Sequence, residues 1–392
     1  MSTEVTRLLA DMDAIHPLLE REAADSERLR RPTPAVQTAL RGIGIHKLTV
    51  PAELGGMDAS PVQVLQVMEK LAHADASLGW LVGALAAETA TAAVHLGDAA
   101  AAELFADGAC PVVSGQSAAF TGRAVRTDGG YRISGAWQFT PGVSLATHVN
   151  LAATVEETGE QLVGLVPRSA VRISDNWDML GLRATASFDY QADDVPVDDA
   201  YVYRTGPGHA RRGGPLYRSD PALPAVLQQA AWAQGIGRRM LDELRALTRR
   251  RNPAEQAPVT RDEFFAEFAR HYSHVRGTMA LLRETWADNE ATLAAGMPLD
   301  GEQETMARLA GNLATSTALE IGQLVYRFAG AQVMRDGTVQ RFFRDSHAGS
   351  RHRGSSDAVT RKCGRMLSGT APEGTCWDAF DLIAPQPAGA HA

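Results

Sequence analysis

The chain has 392 residues, 45% of them apolar and 21% charged, and a formal charge of −8 from 38 Lys and Arg against 46 Asp and Glu. That length is too great for one small core, and the acidic balance excludes a broad polyanion-binding surface, so no nucleic-acid partner is expected. Cys110, Cys363 and Cys376 are few and widely spaced, which excludes a disulfide framework and predicts a reducing cytoplasm.

Residues 1–110 read as a helical domain. The opening residues are charged and amphipathic, with no basic segment leading into an apolar core, so no signal peptide is expected. Val5-Leu8-Leu9-Met12 and Val64-Val67-Met68-Leu71 recur at helical spacing. Pro61 suits a helix start, where its missing N–H costs nothing. Leu78 to Gly97 is the most membrane-like stretch, but Glu88, Thr89, Thr91 and His95 interrupt it. A buried helix is predicted rather than a bilayer span.

Residues 111–222 change character. Pro111–Ser114, Tyr131–Ser134, Val149–Thr154 and Leu162–Val166 read as strands, and Asp128-Gly129-Gly130 reads as a turn. From 223 to 392 the chain is helical again, with Ile236–Thr248 and Arg308–Phe328 as clear segments. The tail from Pro385 is expected to be disordered. The predicted fold is mainly α with a central β domain, because helices, strands and helices come in blocks rather than alternating.

Several chemistries are absent. There is no phosphate-binding loop, and neither Gly42-Ile43-Gly44 nor Gly235-Ile236-Gly237 completes a dinucleotide fingerprint. No HExxH, GxSxG or ExxH signature occurs. Glu267, His271 and His274 share a helical face but match no known metal spacing, so no metal is expected. The densest polar stretch is 341–357, with two His, four Arg, two Asp and four Ser. If the helix before it continues, Asp345 and His352 fall on one stripe, while His347 lies about 140° away from His352.

Three patches carry a resemblance: Ala74-Asp75-Ala76-Ser77-Leu78-Gly79-Trp80; Asp128 through Trp137-Gln138-Phe139-Thr140-Pro141-Gly142 with Trp177 to Ser187; and Phe328-Ala329-Gly330-Ala331 through Arg344-Asp345 to His352. In this order they resemble the acyl-CoA dehydrogenase superfamily, most of all its branch of two-component, reduced-flavin-dependent monooxygenases (group D). The resemblance spans residues 15–370. It implies an N-terminal α domain, a middle β domain and a C-terminal four-helix bundle, usually as a homotetramer whose subunits help close one another's sites. It further implies reduced FMN or FAD delivered by a separate NAD(P)H-flavin reductase, and reaction with O2 through a C4a-hydroperoxide. The substrate would be a small aromatic or heteroatom-containing molecule.

The resemblance also assigns roles. The dehydrogenases place a catalytic Glu eight residues after the Arg-Asp pair, where this chain has Arg353. A guanidinium is effectively never deprotonated, so it cannot serve as a base. One position earlier, His352 stands where the oxygenases carry a catalytic histidine, with Asp345 as its orienting neighbour. Ser114, Gln116, Ser117, Thr140, Arg183, Thr185 and Ser187 are expected at the flavin, with Arg327 reaching a flavin phosphate or a neighbouring subunit. Trp80, Trp137 and Phe139 are expected in the substrate pocket. The pattern departs at Pro141, where the oxygenases have a Ser beside the flavin, so Thr140 or Ser144 is left to supply that hydroxyl. Three other readings share the fold: an acyl thioester dehydrogenase or oxidase, an N-oxygenase of an amine or amino sugar, and a flavin-free scaffold.

Overall fold

The computed structural model describes residues 2–206, 208–250 and 258–384. The tail from Pro385 lies outside the described residues.

Five helices open the chain: α1 (Thr3–Leu29), α2 (Pro34–Gly42), α3 (Pro61–Ala74), α4 (Ala76–His95) and α5 (Asp98–Leu104). Pro61 does start α3, behind a reciprocal capping box between Ser60 and Gln63. Asp75 caps α4 by accepting from the Leu78 N–H at 2.9 Å. α4 is long and apolar enough to cross a membrane, yet most of it is buried. It is sandwiched between α3, α6 and the sheet, which is why it is apolar nearly all round.

The β domain runs from β1 (Val113–Gln116) through β2 (Gly122–Thr127), β3 (Gly130–Thr140), β4 (His148–Val155), β5 (Gln161–Pro167), β6 (Arg172–Ser174) and β7 (Phe188–Asp198) to β8 (Val202–Tyr203). They form one sheet in the order β6-β7-β3-β2-β4-β5-β8, with β1 added parallel to β4. β3 and β7 pair antiparallel, with register shifts at Ile133/Gly135 and Trp137/Thr140. The second irregularity frees Phe139 from the ladder.

The C-terminal helices are α6 (Ala222–Arg250), α7 (Pro258–Ala294), α8 (Gly301–Phe328), α9 (Thr338–Gly349) and α10 (Asp357–Leu367). A short hairpin follows, β9 (Cys376–Asp378) with β10 (Asp381–Ile383). Trp232 on α6 joins three layers: it is 2% exposed, donates Nε1–H to Ala76 O at 2.9 Å, and lies under the end of α9. A Cβ at Gly349 would stand 2.0 Å from its ring. Gly349→Ala is therefore expected to cost about 1–3 kcal/mol as overpacking, seen as a lower urea midpoint.

Candidate active site

His352 is not on the α9 stripe. α9 ends at Gly349, and His352 caps the short 3-10 turn Arg353–Ser355 that follows. Its Nδ1 accepts from the Gly354 N–H at 3.1 Å, which assigns the proton of the neutral ring to Nε2. Nε2 has no protein partner among the described residues. The ring meets Trp80 edge-on at 6.1 Å and Phe380 edge-on at 5.8 Å. Burial, helped by the Arg353 charge, pushes its pKa down from 6.5 to about 4. At neutral pH it is thus a neutral Nε2–H donor. Trp80 is fixed in turn by an edge contact with Trp232 at 5.0 Å.

Asp345 does not orient His352, which corrects the expectation from helical spacing. It is fully buried on α9, and its Oδ1 accepts from the Leu182 N–H at 2.6 Å. Its neighbour Arg344 donates to Leu180 O at 2.9 Å and pairs with Glu27 at 2.6 Å. The Arg-Asp pair therefore clamps the 180–182 loop. Burial raises the Asp345 carboxyl to about 7, with Asp75 and Glu27 adding to the rise.

That loop and the end of β3 form one wall. Trp177 donates Nε1–H to Leu182 O at 3.0 Å and meets the Phe139 ring edge-on at 6.1 Å. Gly142 N–H reaches Thr185 O at 2.9 Å. Leu182, Ala186 and Phe139 all take left-handed backbone angles, at φ 53°, 48° and 55°. A bulky residue there is strained, and such strain gathers at functional sites. Phe139 and Leu180 stand 57% and 65% exposed beside each other's loops, while Arg183 Nε is buried without a hydrogen-bond partner among the described residues.

Residues 12–106 match the acyl-CoA dehydrogenase N-terminal domain family, and residues 227–357 match the acyl-CoA dehydrogenase C-terminal domain family. The chain belongs to the acyl-CoA dehydrogenase superfamily. A flavin-dependent monooxygenase oxygenase subunit, HsaA of Rhodococcus jostii, is 28% identical over 87% of this chain and 92% of its own. Indole-3-acetate monooxygenase of Pseudomonas putida is 25% identical over 88% and 90%. The crystal structure of 3-HSA hydroxylase from Rhodococcus sp. RHA1 superposes with a TM-score of 0.83 at 26% identity, covering 93% of this chain and 97% of that one.

The residues present fit the flavin of these acyl-CoA dehydrogenase relatives. Exposed apolar Phe139 and Leu180, with the unpartnered Nε of Arg183 on the same 177–187 segment while its Nη2 stands 3.7 Å from Asp178, suit a planar ring with a polar edge. The hydroxyls expected at the flavin are engaged within the protein as follows. Thr185 donates to Leu182 O at 2.8 Å and shares a 2.6 Å contact with Ser187, so both serve the loop itself. Thr140 is fully buried. Ser114 Oγ donates to Pro141 O at 2.8 Å, which anchors the residue standing in the family's Ser position. Ser144 Oγ is the buried hydroxyl of this turn without a partner among the described residues.

Trp137 is corrected out of the pocket. It is 2% exposed, stacks on Tyr190 at 4.9 Å, and shares its Nε1–H between Ala119 O and Ala152 O at 3.2 Å each. Alternation along β3 turns it into the sheet's core. Phe139 lines the 177–187 wall, whereas Trp80 lies at His352. Arg327 is exposed and pairs with Glu263 on α7 of its own chain. Arg353 is also exposed, with Asp381 at 3.8 Å. Among the described residues no group of His, Cys, Asp and Glu is arranged to hold a metal.

Glu88 was not picked out as a site residue, although it is the acidic residue within the apolar stretch of α4. It accepts from Ser117 Oγ at 3.0 Å and from Asn150 Nδ2 at 2.7 Å, so it staples α4 to β1 and β4. Gln116 donates to Gln138 O at 3.2 Å across the same strand edge. Burial raises the Glu88 carboxyl from 4.5 to about 7. A carboxyl raised in the folded state stabilises fully below its unfolded pKa, and that contribution is lost as pH rises through the folded pKa. Glu88→Gln is thus expected to flatten part of the decline in stability between about pH 4.5 and about pH 7, read from urea midpoints across that range.

Proposed function

We propose that this chain is the oxygenase component of a two-component flavin-dependent monooxygenase, acting on a small aromatic substrate. The observation that carries the reading is His352: a neutral imidazole, free at Nε2, set between Trp80 and Phe380, while Arg353 in the dehydrogenase base position faces outward. The relatives named for indole-3-acetate and 3-HSA support an aromatic substrate, and the oxygenase-subunit relative supports a separate reductase.

The reduced flavin, FMN or FAD, supplies the electrons that activate O2. The chain's own residues do the rest. The 177–187 backbone and Arg183 would hold the ring, with Phe139 and Leu180 on the same wall, and Asp345 fixes the loop through Leu182. His352 keeps its proton on Nε2 and donates it in a hydrogen bond to an oxygen in the pocket. Trp80 and Phe380 exclude water there, which strengthens that bond. Exposed Phe265, Tyr326 and Met334 support assembly with further copies, in keeping with a homotetramer. The free thiols support a cytoplasmic setting.

The test supplies reduced flavin enzymatically, with isotopically labelled O2 and a panel of phenols and indoles. One labelled oxygen atom in a product is the expected result. Anaerobic bleaching of bound oxidised flavin by an acyl thioester, with no reductase present, would instead show a dehydrogenase.

A further inference from the structure

The turn of the C-terminal hairpin, Ala379–Phe380, is held from several elements at once. Arg308 on α8 donates Nε–H to Ala379 O at 2.8 Å, and Ala379 N–H donates to Asp220 Oδ2 at 3.0 Å. Lys362 on α10 reaches Phe380 O at 3.0 Å, and Trp377 donates Nε1–H to Thr305 Oγ1 at 2.8 Å. Arg308 is 1% exposed, pairs with Asp220 at 2.5 Å and lies over the Trp377 ring at 4.6 Å. A buried ion pair adds little net stability over apolar packing, but it fixes geometry. Here it fixes a turn in which Ala379 takes a left-handed φ of 51°. The outcome is the placement of the Phe380 ring against His352, at 5.8 Å, and against Gly354. A Cβ at Gly354 would come within 3.0 Å of Phe380 Cε1. The hairpin, the buried arginine and the glycine together build one wall of the imidazole's pocket.

We infer that Phe380 is a specificity-determining residue: it closes the His352 pocket from the C-terminal hairpin, limits it to compact planar substrates, and shields the imidazole from water. The substrate half rests on the oxygenase reading; the shielding half does not. The charged groups around His352 are Arg353 in its own loop, Asp381 beside Phe380, Lys362 on α10 paired with Asp381, and the Arg308–Asp220 pair beneath the turn. Replacing Phe380 changes none of these charges, so a change in His352 titration reports solvent access.

The experiment uses the full-length protein with Phe380→Ala, and Phe380→Leu as the milder truncation should Ala unfold the hairpin. His352 is titrated by carbon-13 NMR of labelled histidine, assigned by the signal missing in His352→Asn. Its midpoint is expected to move up from about 4 toward 6.5. In parallel, the ratio of kcat/KM for a bicyclic aromatic over a monocyclic one is expected to rise about tenfold, with reduced-flavin Kd unchanged. An unchanged His352 midpoint in a folded variant overturns the shielding half, and an unchanged ratio overturns the specificity half. If wild-type protein oxygenates nothing, the oxygenase reading and the specificity half fall together, while the titration still decides the shielding.

Discussion

His352→Ala is expected to lower product formation about 100-fold or more, the usual scale for losing a positioned proton donor, with reduced-flavin Kd unchanged. The ring touches Trp80, Phe380 and Gly354, whereas the wall proposed to hold the flavin is built from 139–142 and 177–187, so the two effects should separate. Nδ1 is occupied by the Gly354 N–H, so a second proton on the ring would break that bond. The proposed role of His352 is accordingly that of a hydrogen-bond donor rather than a proton abstractor. His352→Gln, which keeps an N–H donor, is expected to recover part of the loss. The pH profile follows from the same state. A group lowered to about 4 stays neutral across the neutral range, so turnover should not fall through the 6.5 of an ordinary histidine. Steady-state oxygenation rates across pH, with flavin binding measured separately, check each point. Unchanged turnover in His352→Ala would remove it from the mechanism.

Arg308→Met is expected to cost about 3–5 kcal/mol, because it leaves the Asp220 carboxylate beneath the hairpin without its partner. It also strips the acceptor Ala379 O of its donor and the Trp377 ring of its cation. Arg308→Lys should rescue little, since an ammonium cannot span Ala379 O, Asp220 and Glu304 O with one rigid fork. Urea unfolding checks the size of the loss. A loss below about 1 kcal/mol would mean that the pair is not holding the hairpin.

Local signals in the sequence placed some elements. Pro61 announces α3, and Asp128-Gly129-Gly130 marks the turn between β2 and β3, although β2 itself was not read as a strand. The apolar run of α4 was legible as a buried helix rather than a bilayer span because Glu88, Thr89, Thr91 and His95 interrupt it. The 341–357 segment was harder. Helical spacing joined Asp345 to His352, but Ser350 to His352 leave the helix, and three residues of irregular chain cancel any argument from periodicity. Trp137 shows the opposite failure: an aromatic in a family motif drew a pocket role, while strand alternation alone would have turned it into the sheet.

By itself the sequence determined the helix–strand–helix order and the likeness to the acyl-CoA dehydrogenase superfamily, and that likeness implied Arg353, beside His352, at the position of a carboxylate base. These depend on residue type and short-range spacing. Only the tertiary structure decided what each group does. Asp345 meets Leu182 across 163 residues, Glu88 meets Asn150 across 62, and Phe380 closes on His352 from a hairpin beyond the motifs. The physical reason is that burial and hydrogen-bond partners set a side chain's protonation and role, and both come from elements distant in the chain.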